Sequence, residues 1–271
     1  MKTENDVALS NLIELDNDKA RMRAGWKMLI SFIVLAAVYM WRAWILGIFR
    51  SKTVWIKDLL VIIMLVVLTA LLLYFCRTTK ILQDKMHFSR AQIIWSCVLL
   101  IVILPELLFL LMQTIDVFRQ SFSKIYAVFM MAIVAGIIEE LLFRGLLFNS
   151  MVVFFYHQKY CFLIASMISS GLFGLVHLIN VTHQPLQSTI GQIIFIFGIG
   201  LVYAYLRLFS NGIIWCILFH FLTDFKPAIL SSNTGTHDVS LLQIFLVMLP
   251  IMILAIICIW LFNRQYLKMN K

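Results

Sequence analysis

Apolar stretches of about twenty residues recur almost end to end along this chain, and each is long enough to cross a bilayer as a helix. They fall at roughly 26–49, 57–76, 91–112, 125–156, 160–180, 189–206, 211–229 and 240–262, which gives eight spans if the long fourth one crosses once. The fold expected is therefore all-α: a polytopic membrane protein of about eight transmembrane helices. A polar tail over residues 1–24 precedes a single transmembrane domain over 25–271. Charged residues make up only 13% of the chain, about half the share of a soluble domain, and no polar segment is long enough to fold separately.

The net charge of +9 does not point to nucleic acid, because lysine and arginine cluster at the ends of apolar runs, where they orient a chain in the membrane. The partner they imply is the lipid bilayer. With the N-terminus inside, fourteen lysines and arginines, Arg207 among them, fall on the cytoplasmic side and six on the other. Both termini are expected in the cytoplasm of a multi-pass cell-membrane protein. The five cysteines lie in or beside apolar runs with no CxxC spacing, so they read as small apolar residues rather than as disulfides or metal ligands.

Thirty-two residues make the fourth run too long, about 48 Å of helix against a hydrocarbon core of about 30 Å. The expectation is a helix that projects beyond the bilayer or breaks near Gly136 or Gly145. Gly198 and Gly200, with Ser166, Ser170 and Gly174, read as close helix packing.

An ionisable side chain in a membrane is expensive, so each one asks for a reason. Glu106, Glu139, Glu140, Arg144, His177, His220 and Asp224 are the candidates, and six of the seven form three short patterns: EELLFR, FGLVH and HFLTD. Residues four apart share a helical face, so Glu140 and Arg144 can pair. Glu139 points about 100° away and stays free to serve as a base. His220 and Asp224 are also four apart, so the aspartate can fix which imidazole nitrogen is free, and His177 supplies a second imidazole. One carboxylate and two histidines can activate water and stabilise an oxyanion, which is peptide-bond hydrolysis without a serine or cysteine nucleophile.

EExxxR, FxxxH and Hxxx(D/N), in that order on separate membrane helices, resemble the CAAX-protease and bacteriocin-processing family, also called the Abi family, which includes the type II CAAX prenyl endopeptidases. The resemblance covers about residues 125–229. It implies an intramembrane glutamate-type endopeptidase acting on a membrane-associated or exported peptide. Glu139 would activate water, supported by Glu140 and Arg144, with His177 and His220 completing the site. Where the family's eukaryotic members carry asparagine, this chain has Asp224; an ionised aspartate cannot donate to an oxyanion, so its expected part is to orient His220.

No cofactor is expected, because HExxH is absent; a zinc-dependent variant would use Glu139, His177 and His220. The alternative from another class is a non-catalytic bacteriocin immunity or scaffold protein. A transporter has no inverted-repeat pattern to support it. Glu106, after Pro105, reads as a polar contact in a loosened helix. On this topology His177 lies near the outer end of its span, with Glu139 and His220 near mid-bilayer.

Overall fold

The computed structural model describes residues 8–10, 18–41, 54–83, 86–227 and 240–269. Among them every regular element is a helix. The order is α1 Asp18–Met40, α2 Val54–Cys76, α3 Arg90–Phe118, α4 Phe122–Glu140, a π-helical segment Leu141–Leu147, and α5 Phe148–Phe154. There follow α6 Cys161–Leu175, a 3-10 segment Val176–Thr182, α7 Leu186–Ser210, α8 Ile214–Asp224 and α9 Leu241–Met269.

Seven of these stretches are long and apolar enough to cross a membrane, and α8, with 11 residues, is not. The eighth span expected over 211–229 is thus no full-length helix. The chain nevertheless passes back across the bundle there, because α7 and α9 run parallel. A Cβ at Gly191 would meet Ile244, and one at Gly198 would meet Met248 and Met252. Two parallel spans in one chain require a return between them. α8 supplies part of it, antiparallel to α4: Gly145 faces Ile213, and Gly136 faces Ile217 and Phe221.

The first span starts earlier than expected. α1 begins at Asp18, inside the stretch read as a polar tail, while residues 1–7, 11–17 and 42–53 lie outside the described residues. The long fourth run neither breaks nor stays uniform. It continues from Phe122 to Phe154, but over Leu141–Leu147 the helix widens, and the Phe148 N–H reaches the Phe143 carbonyl five residues back. Gly136 lies inside regular helix, where a Cβ would come within 3.1 Å of the Ile217 carbonyl oxygen; its absence lets α8 approach. Pro105 is accommodated inside a continuous α3.

Two polar devices tie the bundle at one end. Asn211, at φ 54°, closes α7, and its side chain accepts from the N–H groups of Ile81 and Leu82 at 3.0 and 2.8 Å. Asparagine tolerates that left-handed backbone better than most residues. Arg207, counted above among loop cations, is instead fully buried, donating to Asn149 Oδ1 at 2.7 Å and lying 5.0 Å from the Phe148 ring centroid. Four of the five cysteines are buried, Cys97 is exposed, and all are free.

Candidate functional site

The last two α-helical residues before the π segment are Glu139 and Glu140, and the rotation between neighbours on a helix turns them to different partners. Glu140 points into the core. Its Oε1 accepts from Arg144 Nη1 at 3.0 Å and lies 2.8 Å from His220 Nδ1; neither Glu140 nor Arg144 has any exposed side-chain surface. Arg144 also donates through Nη2 to the Gly200 carbonyl at 3.1 Å and lies over the Phe173 ring, 4.3 Å from its centroid. Ions removed this far from water persist only where pairing and hydrogen bonds replace hydration, and this guanidinium has both.

Glycine makes the room. A Cβ on residue 200 would sit 2.9 Å from Arg144 Nη2 and 3.0 Å from Ser170 Cβ. Gly200, read from the sequence as a packing residue, is therefore also the slot for the buried cation.

Glu139 faces the other way. The Tyr39 hydroxyl of α1 donates to its Oε1 at 3.0 Å, while its Oε2 lies 3.8 Å from His220 Nε2, too far for a direct hydrogen bond. Asp224 Oδ2 is 3.4 Å from the same Nε2. Glu139 and Asp224 keep 20% and 26% of their side-chain surface exposed, where Glu140 keeps none. Sequence reasoning had Asp224 fixing one nitrogen of His220 and leaving the other free. In the structure Glu140 holds Nδ1, and Asp224 and Glu139 both face Nε2.

His177 comes from the 3-10 segment that ends its span. Its Nδ1 is 2.9 Å from the Phe173 carbonyl oxygen, a contact in which Nδ1–H donates, and Nε2 has no hydrogen-bond partner among the described residues. Phe173 stands between the two imidazoles, its centroid 5.6 Å from that of His177 and 5.7 Å from that of His220. Five of the six motif residues thus share one network, and the sixth joins across an aromatic ring.

On the far side of His220, Tyr203 stacks at 5.8 Å with its hydroxyl 2.6 Å from Thr223 Oγ1. Behind them lies an apolar cavity of about 320 Å³ between α3, α7 and α8, walled by Leu99, Ile103, Tyr203, Phe219 and Thr223, with Glu106 in its lining. Among the described residues no three His, Cys, Asp or Glu side chains are grouped so as to hold a metal ion, so Glu139, His177 and His220 do not fit a zinc site. Tyr39 and Tyr203 were not anticipated, and Gly200 was read only as a packing residue. A tyrosine on an apolar helix in another part of the chain carries no local signal of the carboxylate it will meet.

Residues 121–226 match the family model described as "Type II CAAX prenyl endopeptidase Rce1-like". The resemblance drawn from the three motifs holds over that stretch, and the matched family is one of proteases. No curated protein and no solved structure matches the chain.

Proposed function

We propose that this protein is an intramembrane endopeptidase in which Glu139 activates the attacking water. The observation that carries the reading is the state of that carboxylate. One oxygen accepts from Tyr39, and the other stands 3.8 Å from His220 Nε2, a separation at which one water can bond to both atoms from the side. Glu139 takes a proton from the water, and the hydroxide oxygen adds to the scissile carbonyl carbon. The carbonyl oxygen becomes an oxyanion, and the C–N bond breaks as the amine receives the proton. His177, with Nδ1–H committed to Phe173, offers Nε2 to the reacting carbonyl and can donate there when that nitrogen is protonated. Glu140 and Arg144 hold His220 in place from below, and Asp224 steadies its other edge. The substrate is a peptide presented from the bilayer, with the cavity behind Tyr203 available to an apolar part of it.

The test is cleavage of a prenylated CAAX peptide, with its unprenylated form as a second probe, by the full chain in liposomes, read by mass spectrometry. Glu139→Gln should lower the rate by about 10²–10⁴-fold, with expression and thermal unfolding unchanged. A Glu139→Gln protein that cleaves either peptide at the rate of the unaltered chain overturns the mechanism.

A further inference from the structure

Away from the site, α1 and α2 enclose an open groove of about 600 Å³ that includes Arg23, Trp26, Lys27, Ser31, Leu35 and Phe75. Its chemistry is graded along one ridge of α1. Arg23, Lys27, Ser31 and Leu35 follow at four-residue spacing, so the groove runs from two cations through a hydroxyl to an aliphatic wall. Both cations are exposed, and no carboxylate among the described residues pairs with either. Lys27 is held in place, its ammonium 5.4 and 5.5 Å from the ring centroids of Tyr74 and Phe75 at the end of α2. Trp26, 53% exposed on the same wall, is a residue type that favours the headgroup level of a bilayer.

We infer that this groove is a binding site for one anionic glycerophospholipid. The phosphate rests on Arg23 and Lys27, the Ser31 hydroxyl lies one helical turn, about 6 Å, below Lys27 at the level of the ester groups, and an acyl chain lies along Ile30 and Val34, the exposed aliphatic side chains of the lining, over buried Leu35. A zwitterionic lipid satisfies the apolar part equally well but brings its own cation to the pair of basic residues, so the charge selects against it. The same helix continues to Tyr39, one turn beyond Leu35, and so links the lipid to the helix that holds Glu139.

The experiment is native mass spectrometry of the full chain released from nanodiscs holding equal phosphatidylglycerol and phosphatidylcholine. It is repeated with brominated forms of each lipid, reading the fluorescence lost in the unaltered chain but not in Trp26→Phe. The site predicts a retained phosphatidylglycerol and Trp26 quenching by brominated phosphatidylglycerol, with that preference falling roughly tenfold or more in R23Q/K27Q. Arg264→Gln, which removes an equal kind of charge elsewhere, should leave the preference unchanged. Val34→Trp, which fills the groove and keeps both cations, should also abolish retention, and it decides the matter if R23Q/K27Q does not fold. Equal retention of the two lipids, or a preference indifferent to both groove variants, overturns the proposal.

Discussion

Two arginines among the described residues, Arg144 and Arg207, are wholly buried, and their surroundings differ in kind. Arg144 has a carboxylate at 3.0 Å, a carbonyl at 3.1 Å and an aromatic face at 4.3 Å. Arg207 has a neutral amide oxygen at 2.7 Å and an aromatic ring at 5.0 Å; among the described residues its Nε and Nη1 have no hydrogen-bond partner, where Arg144 leaves only Nε so. The first cation is one member of a charge network whose other members reach the candidate site. The second is a clamp between α5 and α7. Burial alone therefore does not mark a working residue; what marks it is the charge that would be orphaned on its removal.

That contrast can be broken by measurement, most severely at Arg144. Arg144→Met leaves Glu140 buried without its cation and should cost about 3–5 kcal/mol in unfolding of the full chain in micelles. Adding Glu140→Leu should restore a large part of the loss, since the pair then disappears together. If the double variant is no better than the single one, the ion pair is not the reason for the cost.

Gly200→Ala comes next. It forces a methyl group against Ser170 and against a guanidinium held by Glu140 and the Gly200 carbonyl, and should cost about 1–3 kcal/mol while leaving the Arg207 end of α7 untouched.

Tyr39→Phe sharpens the comparison from the functional side. Losing one hydrogen bond to Glu139 should cost about 0.5–1.5 kcal/mol of stability, yet kcat for the peptide probe should fall by about tenfold with KM little changed. A raised KM with kcat unchanged would place Tyr39 in binding rather than in positioning the base.

The smallest effect is expected at Arg207. In Arg207→Met the bond to Asn149 is lost but an uncompensated buried charge goes with it, so the two nearly offset, and unfolding should move by no more than about 1 kcal/mol. A cost as large as that at Arg144 would erase the distinction.

The part of this arrangement visible in the sequence was the part written at helical spacing. Glu140 with Arg144 and His220 with Asp224 each lie four residues apart, and four apart on a helix is a contact whatever the tertiary fold does. Which of His220's neighbours would hold which nitrogen was not visible, because Glu140 reaches it across 80 residues. Arg207 shows the reverse failure. A cation at the end of an apolar run looks the same whether it enters the loop or turns back into the core, and only Asn149 and Phe148 decide it. The short α8 was hidden for a similar reason: hydropathy continues through residue 229, while the helix stops at Asp224. Spacing reports neighbours along one helix, and depth is decided by other helices.

The widened turn at Leu141–Leu147 also constrains what descent can do to this chain. Upstream, Glu139 is pinned to Tyr39; downstream, Asn149 is pinned to Arg207. Removing one letter between them would close the wide turn into ordinary helix, and each further loss would twist one half of the rod against the other by about 100°, tearing loose either the acid or the amide. Arg144 and Gly145 aside, spelling within those seven positions is open to drift among apolar alternatives, but their number is not, as with a key whose teeth can be refiled and whose shaft cannot be shortened.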